Sequence, residues 1–235
     1  MPDLQALSRR YSLSPSQLTQ LELLLETLEQ DERAPTAVRE RERALEVHVA
    51  DSLVALELEP LRGLRELAQP ARLADLGAGA GVPGAVLAVA LPACEVSLVE
   101  SERRKCEFME SMLARAAIEN ARAVWARAEE WGEGLGACEL VTARALAPAP
   151  VVLEYAAPLL RLGGHLVDWR GHRDPQQEQA ALQAASELGM ELVEVRRVQP
   201  YEDSREHHLH LYVKAHPTPE RFPRRAGAAR KRPLA

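Results

Sequence analysis

Aromatic residues make up only 4% of the chain, so Ala, Leu and Val must fill most of the interior, and a base-stacking platform is disfavoured as the main mode of recognition. Cysteine is equally sparse. Cys94, Cys106 and Cys138 form neither an even set nor a C-x-x-C spacing, which argues against a disulfide framework and against a structural zinc site. Each reads as a small buried hydrophobe. Long apolar runs are also missing: the longest, Ala85 to Leu91, falls far short of the roughly 18 residues of a membrane span, and Met1 to Arg10 has no signal-peptide apolar stretch. These absences lead to the expectation of a reduced, cytoplasmic, soluble protein with no membrane partner and no metal, acting as a monomer.

What is present fits a globular protein. With 235 residues, 46% hydrophobic and 27% charged, the chain is no disordered or collagenous polymer, and its length suits one large domain or a domain with an appendage. The formal net charge of −6 argues at first sight against a polyanionic partner. The charge is segregated, however. Residues 217–235 carry six basic side chains against Glu220 alone, +5 in all, which leaves −11 on residues 1–216. Binding follows local patches rather than totals, so a structured RNA target stays compatible. With its prolines and small residues the tail is expected to be extended and partly disordered.

Ser14-Pro15-Ser16-Gln17 has the pattern of a helix start, with Ser14 as cap and Gln17 closing a capping box. Leu18, Leu21, Leu25 and Leu28 then form one apolar face. A second helix is expected over 38–58, so residues 1–65 read as a helical cap. From Arg72 short apolar strands alternate with helical stretches, which predicts a doubly wound α/β fold with a mostly parallel sheet. Strands are expected at 73–76, 96–99, 123–126, 140–142 and 165–168, with helices at 84–91, 104–117, 128–131, 150–160 and 175–188. Two last strands, 191–198 and 208–214, are separated by nine residues. A parallel crossover needs a dozen or more, so these two must be antiparallel. A reversed last strand belongs to the methyltransferase variant of the fold, with seven strands over 66–216, and residues 217–235 form the basic tail.

The sharpest local signal runs from Asp75 through Gly77, Gly79 and Gly81 to Gly84. A strand ending in aspartate enters a glycine-rich turn, where the backbone can approach a ligand closely, and Glu100 ends the next strand in position for ribose hydroxyls. Gly79, Gly81 and Gly84 also match G-x-G-x-x-G, with Glu100 21 residues after Gly79, so a nicotinamide or flavin oxidoreductase competes with an S-adenosylmethionine enzyme. Asp75 leading the turn, the C-terminal hairpin and the lack of a Tyr-x-x-x-Lys pair favour the methyl donor. A noncatalytic RNA-binding module is a third reading.

Other positions have two readings each. Arg127 to Glu130 either lines an adenine edge or simply favours a helix N-terminus. Arg144 ends the fourth strand, where a cation can hold a donor carboxylate or a nucleic-acid oxygen. His48 and Asp51 lie three residues apart on a helix, as a catalytic pair or a hydrogen-bonded structural one. His208 and His210 share a strand face without a further ligand nearby. Arg103, Arg104 and Lys105 open a helix as a solvated face or a phosphate contact.

Taken together, His48-Val49-Ala50-Asp51-Ser52-Leu53, the turn from Asp75 to Gly84, Glu100-Ser101, Arg127-Ala128-Glu129-Glu130, Ala143-Arg144-Ala145 and the tail from Thr218 to Gly227 resemble the glucose-inhibited division protein B family, also called RsmG. The resemblance implies a class I S-adenosylmethionine-dependent methyltransferase that modifies N7 of a guanine in 16S ribosomal RNA, free or in the small ribosomal subunit. It places donor contacts on Gly77, Val82, Ala128, Glu129 and Arg144, with Glu100 in the ribose role and Arg144 as the catalytic candidate. RNA contacts are expected from Arg103, Arg104, Lys105, Arg170, Arg224 and Arg225. Ala34-Pro35-Thr36, Ala80 and Arg170 depart from the family's usual N-L-T, proline and lysine.

Overall fold

The computed structural model describes residues 3–65, 70–204 and 206–235. Among these, seven strands form one sheet in the order β3-β2-β1-β4-β5-β7-β6: β1 (Ala71–Leu76), β2 (Cys94–Glu100), β3 (Ala121–Trp125), β4 (Cys138–Arg144), β5 (Leu160–Arg170), β6 (Met190–Val198) and β7 (His207–Lys214). Strands β1 to β5 are parallel, and β7 enters antiparallel between β5 and β6. The short polar loop before β7 forces this reversal.

The helices are α1 (Leu4–Tyr11), α2 (Pro15–Gln30), α3 (Arg41–Ala44), α4 (Asp51–Leu53), α5 (Glu59–Leu64), α6 (Gly84–Ala90), α7 (Arg103–Arg115), α8 (Ala149–Ala156), α9 (Pro175–Leu188) and α10 (Ala228–Lys231). Helix α2 starts where the sequence says it should: Ser14 Oγ accepts from the Gln17 N–H at 3.3 Å, and Gln17 Oε1 accepts from the Ser14 N–H at 2.8 Å. Alternation along the strands divides the core into two faces. Leu73, Leu98 and Leu140 pack with the N-terminal helices, α6 and α7; Ala74, Leu76, Val99 and Val141 pack with α8, α9 and the C-terminal segment. The cap thus shares its core with one side of the sheet.

Several elements differ from the sequence expectation. Helix α1 was not anticipated. The helix expected over 38–58 runs from Arg41 to Glu57 and contains a π-helical turn at Leu45–Ala50 and a 3-10 turn at Val54–Glu57. The helix expected at 128–131 is one 3-10 turn, Ala128–Glu130. The one expected at 150–160 ends at Ala156, because Pro158 has no N–H for the carbonyl of Glu154, and Leu160 already belongs to β5. The tail is neither extended nor free: it carries α10, and Phe222 and Ala229 are buried against the α8–α9 side. Acidic partners on the body take up part of its charge. The division expected at 65/66 abuts residues 66–69, which lie outside the described residues.

Candidate active site

The C-terminal ends of β1, β2 and β4 meet at one edge of the sheet. After β1 the chain folds into a tight glycine turn, held by Gly77 and Ala78 N–H groups donating to the Val99 carbonyl at 2.8 and 3.2 Å. Gly77 has φ +67°, a backbone conformation that favours glycine, and a Cβ there would stand 2.5 Å from Leu146 Cδ1, the end of a side chain that would have to move aside. Asp75 closes the turn from below. Its buried carboxylate accepts from the Gly84 N–H at 2.9 Å and from the Thr142 hydroxyl at 2.8 Å. Burial raises its pKa to about 6, although these two bonds and Arg144 pull it back down.

Glu100 faces the turn from the end of β2. One carboxylate oxygen accepts from the Gly79 N–H at 3.2 Å; the other accepts from the Glu102 N–H at 3.0 Å and the Ser101 hydroxyl at 3.3 Å. These bonds fix the rotamer of a side chain whose residue is only 6% exposed. Between the turn, Glu100 and the segment after β3 lies a cleft of about 500 Å³. Gly77, Glu100, Ala128 and Glu129, four of the residues singled out in the sequence, line it together. Ala145, which holds φ +54° just past β4, lines it too, and a non-glycine residue there stores backbone strain.

Val82 and Arg144 lie elsewhere. The Arg144 guanidinium donates to Asp51 Oδ2 and the Val47 carbonyl, both at 2.8 Å, and to the Val82 carbonyl at 3.4 Å. It joins the cap, the glycine turn and β4. Asp51 also contacts His207 Nδ1 at 2.9 Å, and its own carbonyl accepts from the Trp169 indole at 2.9 Å. His48 does not pair with Asp51: its Nε2 lies 3.1 Å from Thr36 Oγ1. The π-helical turn changes the angular spacing on which that pairing depended. Burial and Arg144 push the His48 pKa down to about 4, so its ring is neutral at pH 7.

The expected RNA contacts divide. Lys105 lines the cleft and pairs with Glu102 at 2.7 Å. Arg103 pairs with Glu107 at 2.9 Å and lies over the exposed ring of Trp125, while Arg104 and Arg225 face solvent. Arg170 is taken up by Asp168 and Arg224 by Glu154. His210 faces the interior beside His208, and burial lowers its pKa to about 4. Sequence reasoning missed Leu146, Tyr155 and Arg230 in the cleft wall. Their carriers follow β4, form α8 and end the chain, and no short motif connects them.

The sheet order, with an antiparallel strand between β5 and β6, differs from the 3-2-1-4-5-6 order of the dinucleotide fold. A solved S-adenosylmethionine-dependent O-methyltransferase from Thermotoga maritima has the same fold, with a TM-score of 0.55 at 18% identity, over 84% of this chain and 73% of that one. Among curated proteins, the ribosomal RNA small subunit methyltransferase G of a Synechococcus species is 38% identical over 75% of this chain and 72% of its own. That of Chloroflexus aggregans is 39% identical over 85% and 82%. The family described as GidB, rRNA small subunit methyltransferase G, matches residues 17–209. With most of its length matched in this way, the chain belongs to the rRNA small subunit methyltransferase G family.

Proposed function

We propose that the protein transfers a methyl group from S-adenosylmethionine to N7 of a guanine in 16S ribosomal RNA, acting on the RNA or the small subunit, in the cytoplasm and as a monomer. The observation that carries the cofactor assignment is Glu100, a fixed carboxylate in the cleft wall, bonded to the glycine turn. Its two oxygens suit the two hydroxyls of a ribose, and Gly77 brings the turn to the cleft without a side chain. The fit is chemical as well as spatial: the cleft has a carboxylate for a ribose, and the sheet carries the reversed strand β7 that the dinucleotide fold lacks. The donor supplies an electrophilic methyl on a sulfonium sulfur.

Guanine N7 carries a lone pair and no proton, so no residue need act as a base before attack. The residues of this chain therefore work by alignment and by keeping water out. Gly77, Ala128 and Glu129 border the donor, and Ala145 brings backbone close to it at the end of β4. Arg144, engaged by Asp51 and two carbonyls, serves as a positioning residue that locks the turn to the cap. Arg103, Arg104 and Arg225 supply phosphate contacts. In this reading the cap (1–65), the sheet domain (66–216) and the tail (217–235) are three functional parts.

The test is methyl transfer from labelled donor to small-subunit RNA and particles, followed by chemical cleavage at N7-methylguanine. A single cleavage site supports the reading; label on another atom, or none, overturns it. In calorimetry Glu100→Ala should weaken donor binding by at least about tenfold, given the roughly 1.5–3 kcal/mol of a hydrogen bond to a charged group. Unchanged affinity would remove Glu100 from the ribose role.

A further inference from the structure

The family match ends at residue 209, yet the segment beyond it builds part of the cleft. Three of its groups grip three different walls. Arg224 makes a two-pronged ion pair with Glu154 on α8, Nε to Oε1 at 2.6 Å, and its Nη2 also donates to the Arg232 carbonyl at 2.8 Å. The Glu154 side chain is 3% exposed, so this anchor is buried at its acidic end. The Gly227 N–H donates to Glu129 Oε1 at 2.8 Å, on the 3-10 turn after β3. Gly227 has φ +75°, which turns that N–H toward Glu129 as α10 begins. Arg230 donates to the Leu146 carbonyl at 3.2 Å and lines the cleft beside Tyr155. Phe222 and Ala229 are buried between these polar contacts.

We propose that residues 217–235 act as a strap that completes the donor cleft: Gly227 holds Glu129 from behind, and Arg230 forms part of the rim. This rests on the donor assignment made above. A tail that only collected RNA phosphates would have no need of a buried anchor on α8 or of a backbone bond to a cleft carboxylate. Glu129, on a turn of three residues, has no long helix to fix it. The strap supplies that restraint, and donor affinity depends on it before any RNA is present.

The experiment is titration of S-adenosylmethionine into full-length protein, a chain ending at His216, and Glu154→Gln, which unhooks Arg224 while keeping the shape of the buried side chain. Urea unfolding of each confirms that the compared chains are folded. Both variants should bind the donor more weakly, the shortened chain by about tenfold, or 1.4 kcal/mol. If the shortened chain does not fold, Glu154→Gln carries the comparison. A double-mutant cycle separates restraint of Glu129 from general loosening: Glu154→Gln should lose most of its effect on donor affinity in a Glu129→Ala background. Full-length protein that binds donor while folded variants bind it within twofold overturns the strap alone, as do losses that simply add. Full-length protein that binds no donor overturns the cleft assignment and the strap with it.

Discussion

Replacing Asp75 with Asn isolates the ionisation of the one carboxylate that closes the glycine turn. An Asn keeps an oxygen for the Gly84 N–H, and its amide can donate to the Thr142 hydroxyl, which rotates to accept. The geometry at 2.9 and 2.8 Å is therefore retained, and the charge is removed. Burial raises the Asp75 pKa from its ordinary 3.8 to about 6, which corresponds to about 3 kcal/mol against the ionised form in the folded state. Between these two values the folded protein binds more protons than the unfolded chain, so Asp75 favours folding most at low pH, and that advantage is lost as pH rises through 6. From pH 4 to 7.5 the wild type should lose roughly 2.5 kcal/mol of stability relative to Asp75→Asn, the rest of the change lying below pH 4. Urea unfolding of both proteins across that range measures it, because the other titrating groups cancel in the difference. A difference that stays flat, or a wild type that gains stability relative to Asp75→Asn as pH rises, would show that the carboxylate is better stabilised than its burial implies and would refute the argument.

Gly84 faces the same carboxylate, and a Cβ added there would fall 2.7 Å from Asp75 Cβ and closer still to Leu98; Gly84→Ala should cost about 1–3 kcal/mol by overpacking, read as a lower urea midpoint. Lys214 is buried and donates to the Ala157 and Leu160 carbonyls, both at 2.7 Å. Lys214→Met should lose about 2–3 kcal/mol, and wild-type stability on this substitution would show those bonds to be without net worth. Asp51→Ala leaves the largely buried Arg144 without its carboxylate and should cost about 3–5 kcal/mol, with Asp51→Asn recovering part of it in the same assay.

Some of this was open to sequence reasoning because its causes are local. The turn from Asp75 to Gly84 needs glycine where φ is positive, at Gly77, Gly79 and Gly81, and that requirement is one of the local backbone. The reversed β7 follows from one loop too short for a crossover. The cap-to-sheet joint was not legible in the same way: Asp51 reaches Arg144 and His207, 93 and 156 residues further along, and only the folded sheet brings those positions together. His48, three residues from Asp51, looked like the natural partner, and the π-helical turn removed that relation. Val82 and Arg144 do stand near each other, but at the cap rather than in the cleft wall.

The tail shows how composition can mislead when charges have distant partners. Six basic residues with prolines and small side chains satisfy every compositional sign of disorder. Their acidic counterparts lie far back in the chain: Glu154 is 70 residues from Arg224, and Glu187 is 34 from Arg221. A −11 body and a +5 tail are complementary as well as segregated, and attraction between them favours docking once folding has placed those glutamates on one side. Arg221 pairs with Glu187 on the surface at 2.9 Å, where such a pair contributes little. Glu154 is different, because a buried carboxylate without a cation would be costly, so its burial makes docking of Arg224 close to obligatory for a folded α8. Arg225, Lys231 and Arg232 stay exposed, on the same segment whose Gly227 and Arg230 reach the cleft. The charge that first argued against nucleic acid thus resolves into a neutralised part that fixes the tail and an exposed part beside the site where the methyl group would be delivered.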